Sequence, residues 1–540
     1  MSWRTSWKGR NSFAPRSSPN RPVKIAIVLH IFYEDYVDKF CSLISRIDFP
    51  VDVFVTTTNT EIAHAAESKL SRTQNVNKVK VALVPNRGRN FAPLLVEFGQ
   101  ELLNYDIFGH FHSKKSLFSG KEQTEWADYL FNVLLDPARC KQHINLLADQ
   151  TSNVGLIYPT TPPAVPFFGN HWLQNVNAGR TLEVITGQKV SQFGFITYPL
   201  GGMFWARSLA LASLLGANWS YDQFPEEHGQ IDGTLQHGIE RFVSVACEAS
   251  GFKKVAFHPE LNAAFEDDSY VFAGYLDTLE TFHSGYLVEV DCLSVNLFET
   301  VISRANSFDD FQKVMASQLL GFADPINYLE FRNGTELEVR NSLISGDVSI
   351  AQVAELMSRK IQNSQSTALS PAEIIEAELN CELDTVRPKS MLASVIKKRQ
   401  SFGKQTTVVT DTYYEREHVE RILTKADISL EFLDLQVSSE TGLRKDNSSY
   451  WAVLAEAMKD FEGTYLHVGD NLVADVQLPS DFGFRSLYLP NARDLAWMLG
   501  SDIPNDISVI ADEFVQGQLN LYQNPIFNAS GVQISGSTID

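Results

Sequence analysis

The sequence is poor in cysteine and in basic residues, and it has no long apolar run. Its five cysteines, Cys41, Cys140, Cys247, Cys292 and Cys381, are scattered over 540 residues with no CxxC pair among them. That spacing argues against a disulfide framework and a structural zinc site, and predicts reduced thiols in a cytoplasmic protein. No stretch approaches the roughly eighteen consecutive apolar residues that span a bilayer, so no transmembrane helix is expected. Lysine and arginine number 45 against 65 aspartates and glutamates, a formal net charge of −20. Phosphate contacts need a basic face, so no nucleic-acid partner is expected. One local exception stands at the start, where Arg4, Lys8, Arg10, Arg16, Arg21 and Lys24 all precede the first acid, Glu34. Residues 1–22 read as a disordered basic tail, with no apolar segment of the secretory type behind it. Such a tail offers peripheral contact with anionic headgroups at the inner face of the cell membrane, although a plain solubilising role is simpler.

The apolar residues that are present follow two rhythms. VKIAIVLHIF (23–32), VDVFVTT (51–57), KVKVALVP (78–85), IFGHFH (107–112) and VGLIYP (154–159) are short Val- and Ile-rich runs, as expected of buried parallel strands. Between them lie helical patterns such as Val37, Phe40, Ile44 and Ile47. This alternation predicts an α/β, doubly wound, Rossmann-like sheet over residues 23–275, with ligands at the carboxyl ends of its strands. A second alternating region covers 286–515. LVEVDCLSVNLF opens it, a helical stretch about 305–400 interrupts it, and TTVVTD, FLDLQVSS, TYLHVGD and RSLYLP resume the strands. The simplest reading is a second α/β sheet with a helical cap inserted after its first strand. Residues 516–540 read as a frayed tail.

Three clusters of the first region fall where strands should end. Pro85-Asn86-Arg87-Gly88-Arg89-Asn90 combines a turn glycine with two guanidinium groups before a helix, which suits a phosphate or carboxylate. His110-Phe111-His112-Ser113-Lys114-Lys115-Ser116 alternates His110 and His112 to one face and places two cations past the strand, where they would neutralise a leaving diphosphate. YPLGGMFWAR and FPEEHGQIDGTLQHGIERF supply Gly201 and Gly202 for close backbone approach, and then Glu226, Glu227, Asp232, His237, Glu240 and Arg241. For each cluster alone, a solvated turn or a charged helix face is the bland alternative.

Taken in order, HIFY, NRGRN, HSKKS, GGMFWAR and DGTLQHGIER resemble the rhamnan synthesis protein F family of polysaccharide-biosynthesis glycosyltransferases. Asn90 stands where that family usually shows Asp. The resemblance implies a GT-A-type glycosyltransferase domain over 23–275. It also implies transfer of rhamnose or a related deoxyhexose from a nucleotide sugar, deoxythymidine diphosphate-rhamnose first, to a glycan or lipid-linked glycan in a bacterial surface polysaccharide such as lipopolysaccharide. Arg87, Gly88, Arg89, His112, Lys114, Lys115, Gly201, Gly202, His237 and Arg241 are the expected donor- and diphosphate-binding residues. No Asp-x-Asp pair occupies the strand end; His112-Ser113-Lys114 does, so the expected mechanism is metal-independent. Glu227, then Asp232, is the expected general base.

The second region resembles the haloacid dehalogenase-like phosphohydrolases, a Rossmannoid fold with a cap. The resemblance assigns Thr410 and Lys445 to phosphoryl binding and Asp470 and Asp475 to magnesium. The early motif departs from it. Where the superfamily carries its nucleophilic Asp, this chain has Ser294-Val295-Asn296-Leu297-Phe298-Glu299-Thr300. An amide is a far weaker nucleophile than a carboxylate and removes one charge from the metal site. The expectation is an inactive domain that retains at most weak Mg2+ binding at Asp470. Two alternatives stay open: a phosphohydrolase of sugar phosphates, and a noncatalytic protein that assembles or regulates a glycan-synthesis complex.

Overall fold

The computed structural model describes residues 12–13, 22–114, 124–161, 165, 167–191, 194–227, 232–266, 284–304, 310–364, 369–489 and 491. The chain forms two compact units, Met1–Leu279 and Glu280–Asp540. Among the described residues no helix is long and apolar enough to cross a membrane. Lys115, Ser116 and the tail 516–540 lie outside the described residues.

The first unit is built on one mixed sheet. Its strands are β1 (Ser12–Phe13), β2 (Ile25–His30), β3 (Val51–Thr57), β4 (Val76–Leu83), β5 (Ile107–His112), β6 (Val154–Pro159), β7 (Phe204–Arg207), β8 (Lys253–His258) and β9 (Ala263–Phe265). They lie in the order β1-β9-β8-β6-β7-β5-β2-β3-β4. The β5-β2-β3-β4 block is parallel, and β6 runs parallel to β8. β7 pairs antiparallel with both β5 and β6, and β9 antiparallel with β8. The sheet is thus parallel-rich but not purely doubly wound. β7 is the reverse strand that joins the two parallel blocks.

Two other expectations change. Ser12 and Phe13 pair with Phe265 and Ala264, so part of the stretch read as a tail is an edge strand. β4 is not buried on both faces: Lys78 and Lys80 point outward to Glu101 at 3.1 and 2.6 Å. Outward lysines on an edge strand discourage pairing with another chain.

Apolar layers cover both faces of the sheet. Ile27, Leu29, Val53 and Phe111 pack with Phe40, Ile44, Phe131 and Leu134 on one side. Val28, Phe54, Phe108 and Phe204 pack with Phe91, Leu95, Ile239 and Phe242 on the other. The helices begin at conventional signals. Asn59 accepts from the backbone N–H groups of Glu61 and Ile62, and Asp136 does the same before Pro137.

The second unit is a Rossmannoid α/β fold with a helical cap. β10 (Cys292–Val295), β13 (Thr406–Thr410), β14 (Leu433–Val437), β15 (Tyr465–Gly469) and β16 (Arg485–Tyr488) form an all-parallel sheet in the order β14-β13-β10-β15-β16. β10 is shorter than the apolar run suggests, because Ser284–Glu289 is helical. The cap is bounded by β11 (Ile302–Arg304) and β12 (Val386–Pro388), which pair antiparallel where the chain leaves and re-enters the core. The following helix, Ser390–Ser401, belongs to the core, since Arg399 donates to the carbonyls of Leu287, Val288, Val290, Asp291 and Gln405. The cap therefore ends near residue 388 rather than 400. Within it, fully buried Arg332 and Glu378 pair at 2.6 Å, and Arg304 ties β11 to Glu382 at 2.7 Å.

Candidate functional site

In the first unit, three segments meet at the carboxyl ends of β2 and β5. The turn after β4 needs left-handed backbone at two successive residues, Gly88 (φ 66°) and Arg89 (φ 51°). A Cβ on Gly88 would come within 2.4 Å of the Ala92 Cβ, so glycine is required there. The turn delivers Arg89 and Asn90 to the site. β5 delivers His112 and Lys114, and Ser113 locks the strand end by donating its N–H to the His30 carbonyl at 2.9 Å. The third segment is the Gly201-Gly202 turn, followed by the helix Leu235–Ala249, whose successive turns present Gln236, His237 and Glu240.

These side chains surround a cavity of about 90 Å³ lined by Arg89, Asn90, Phe91, His112, Lys114, Gly201, Gly202, Gln236, His237 and Glu240. The enclosed space suits one phosphate-sized group, not a whole nucleotide sugar. Its polarity is unusual for a structural void. The Asn90 Nδ2 and His237 Nε2 atoms are buried and have no hydrogen-bond partner, a costly state unless a ligand or water completes them. Gly202 keeps the wall thin: with φ 72°, a Cβ there would meet Asn90 Nδ2 at 2.8 Å.

The electrostatics of the cavity are set by burial. Burial pushes the Lys114 ammonium down to about 8, with Glu240 opposing and Arg89 adding to the shift. Its Nζ lies 3.8 Å from the centre of the Trp126 ring, a cation–π contact that anchors the charge. Burial raises the Glu240 carboxyl, while Arg241, Lys114 and the Gly201 N–H, donated to Oε1 at 2.6 Å, pull the other way. His112 is lowered to about 4 by burial and by Lys114, and shares a 2.8 Å hydrogen bond between Nε2 and the Gly201 carbonyl. His237 is lowered to about 4 by burial and Arg89, and its Nδ1 meets the Thr234 hydroxyl at 2.8 Å. Both imidazoles are neutral near pH 7, so the cationic character belongs to Lys114 and Arg89.

The expected residues divide between the cavity and its supports. Arg89, His112, Lys114, Gly201, Gly202 and His237 line it. Arg87 does not: it pairs with Glu226 at 2.7 Å and clamps the 222–227 segment onto the turn. Glu227 is not on the wall either. It accepts from Arg89 Nε at 3.3 Å and Gln236 Nε2 at 2.9 Å, which holds two lining residues in place. Asp232 faces Asn175 at 2.7 Å and Arg241 at 3.6 Å, while Arg241 also donates to the His171 and His237 carbonyls. Asp232 and Arg241 thus brace the helix start behind the site. The carboxylate on the cavity wall is Glu240, which residue density alone did not single out.

The motif residues of the second unit converge at the ends of β10, β13 and β15. Asn296 Oδ1 accepts from Lys445 Nζ at 2.9 Å. Its Nδ2 donates to Asp470 Oδ1 at 2.8 Å and to the Phe298 carbonyl at 3.1 Å. Thr300 donates to the same Asp470 oxygen at 3.1 Å. Burial raises Asp475, but the Lys445 ammonium at 2.5 Å and His467 at 3.1 Å overcome it and hold the carboxyl well below its usual range. Burial and the Asp475 charge push Asp470 up to about 7. Thr410 Oγ1 is buried without a partner, and Asp411 accepts from the backbone N–H groups of Lys445 and Asp446. This donor set does not fit the magnesium expected at Asp470. An amide N–H group stands between the two nearest oxygens, and the second acid is committed to a lysine. A separate cavity of about 350 Å³ lies between the cap and the 411–414 segment.

Comparison with known proteins follows the same division. The Uncharacterized protein WxcX of Xanthomonas campestris pv. campestris, strain B100, is 32% identical over 231 residues, which cover 42% of this chain and 32% of that protein. The same protein of strain ATCC 33913 matches equally, so the alignment spans about a third of the length of these curated relatives. Among solved structures, the L-2-haloacid dehalogenase of Xanthobacter autotrophicus is similar at 12% identity and a TM-score of 0.29, covering 41% of this chain and 86% of that one. A haloacid dehalogenase-like family hydrolase from Xanthomonas campestris is similar at 12% identity and a TM-score of 0.24, covering 43% and 98%. Residues 11–252, which take in β1 through the helix Leu235–Ala249, match the family described as Rhamnan synthesis protein F, and the first unit carries that family's sequence pattern.

Proposed function

We propose that the first unit is a glycosyltransferase of bacterial surface-polysaccharide synthesis, which moves a deoxyhexose such as rhamnose from a nucleotide diphosphate-sugar to a glycan acceptor. The observation that carries this reading is the cavity at the ends of β2 and β5. There Lys114, Arg89 and the unpartnered Asn90 amide face a single carboxylate, Glu240. The cavity takes the phosphate nearest the sugar, and the rest of the donor extends beyond it. The acceptor hydroxyl attacks the anomeric carbon as the bond from that carbon to the phosphate oxygen breaks. The hydroxyl proton passes to Glu240, whose raised pKa suits a base, and the nucleoside diphosphate leaves against Lys114 and Arg89. The strand end carries His112, Ser113 and Lys114 in place of an acid pair, so the cations do the charge stabilisation and EDTA is expected to leave turnover unchanged. The buried, unsatisfied donors favour a ligand-binding site over a purely architectural protein.

In the second unit, Asn296 replaces the carboxylate that a phosphohydrolase of this kind uses as nucleophile, which disfavours hydrolysis of sugar phosphates. The test of the transferase reading is turnover of deoxythymidine diphosphate-rhamnose with a polysaccharide acceptor. Glu240→Gln is expected to lower kcat by about 100-fold or more, the usual range for a general base, and Glu227→Gln by less than about tenfold. The reverse order would reject the assignment of the base.

A further inference from the structure

We propose that the Asn296 side-chain amide takes the place of a divalent cation in the second unit, so that this core is closed without metal and a single substitution opens it to one. The inference stands independently of the transferase reading of the first unit.

The orientation of the amide follows from its neighbours. Lys445 Nζ offers only N–H donors, and it lies 2.9 Å from Asn296 Oδ1. The Asp470 carboxylate and the Phe298 carbonyl offer only acceptors, and they lie 2.8 and 3.1 Å from Nδ2. The NH2 group therefore sits between a carboxylate oxygen and a backbone oxygen that converge from different segments. A magnesium ion would draw the same two oxygens together at about 2.1 Å each. The amide supplies partial positive charge at that position through two hydrogen bonds, and it leaves no room for an ion.

The surroundings support the same view. Thr300 donates a further hydrogen bond to Asp470 Oδ1, and Asn491 approaches its other oxygen at 3.4 Å. Lys389, buried and bound to the Glu299 carbonyl, adds a second cation that interacts with Asp470. Asp475, the other acid of the cluster, already has both Lys445 and His467. Both acids that a metal would draw on are thus already engaged by side chains, Asp475 by two cationic or N–H groups and Asp470 by hydrogen bonds that oppose the repulsion from Asp475 and Glu299. An aspartate at 296 would reverse this, placing a carboxylate against Asp470 and next to the Phe298 carbonyl with no hydrogen to share. Three oxygens would then face one point, the kind of donor set that hard cations take.

The experiment titrates Mn2+, read by the loss of its free-ion paramagnetic resonance signal, into the full chain. Wild type and Asp470→Asn are expected to bind alike, with no component that depends on Asp470. Asn296→Asp is expected to gain one ion per chain, at least tenfold tighter than any site of the wild type, and to lose it in the double variant Asn296→Asp/Asp470→Asn. A wild-type Mn2+ site that Asp470→Asn removes would overturn the proposal, and so would a folded Asn296→Asp that gains no ion. Should Asn296→Asp fail to fold, Asn296→Ala empties the same position. Its melting midpoint is expected to rise with Mn2+ where that of wild type does not, and an equal response of the two would overturn the proposal.

Discussion

Acid should unfold the first unit well before its carboxylates are protonated, because it buries neutral histidines. Burial lowers His30 and His110 to about 3 and His143 and His237 to about 4. All four are at most 9% exposed. The unfolded chain titrates such groups near 6.5, so between that pH and the folded values it binds more protons than the native state does. Stability is therefore complete above about pH 6.5 and falls as pH drops toward the folded pKa values. For each group the loss between pH 6 and pH 5 is about 1 kcal/mol or slightly more, and for the four together about 4–5 kcal/mol. That is a large part of the 5–15 kcal/mol typical of a domain. At roughly 2–4 °C per kcal/mol for a unit of this size, calorimetry of the full chain should show the first unit's transition falling by more than about 10 °C from pH 6 to pH 5. His143 is remote from the cavity, edge-on to Phe257 at 4.7 Å, so His143→Leu isolates one group. It should narrow the difference between the two pH values by about 1 kcal/mol. A transition that stays put between pH 6 and pH 5 would refute the reasoning, since these imidazoles would then have to be charged in the fold.

Two further predictions concern the cavity. Gly202→Ala places a methyl 2.8 Å from Asn90 Nδ2 at a left-handed backbone position, and should weaken nucleotide-sugar binding by about tenfold or more while circular dichroism stays native. Because Lys114 titrates near 8, donor affinity should be constant from pH 6.5 to 7.5 and fall as pH rises through 8 to 9. Titration calorimetry across that range checks it, and a flat profile would remove Lys114 from the donor site.

Much of this architecture is legible in the sequence because buried parallel strands must be continuous in Val and Ile. β2, β3, β5, β6, β13, β14 and β15 lie within or close to the runs that suggest them. The misses have physical reasons. A short apolar run does not distinguish strand from helix, which is why residues 287–289, the end of the helix Ser284–Glu289, read as part of the first strand run. The four residues of β7 are too few to show alternation, so its reversal of the sheet is invisible without its partners β5 and β6. In the candidate site, the turn and strand-end residues are legible because their positions follow directly from where strands stop. The helix residues are not. Four acids crowd residues 226–240, and which one meets the cavity depends on the rotation of the helix Leu235–Ala249. Gln236, His237 and Glu240 share one face, while Arg241, a step of about 100° further, turns away to Asp232.

The central claim is that the charge of Lys114 receives the phosphate of an activated sugar. Titration of deoxythymidine diphosphate-rhamnose into the full chain and into Lys114→Met at pH 7 tests it directly. Saturable binding by the wild type, weakened about 30-fold or more in the variant, is the predicted result, in line with about 2 kcal/mol for a partly buried charge-assisted contact. Equal affinity in the two proteins, or no binding of any nucleotide sugar by the folded wild type, would contradict it.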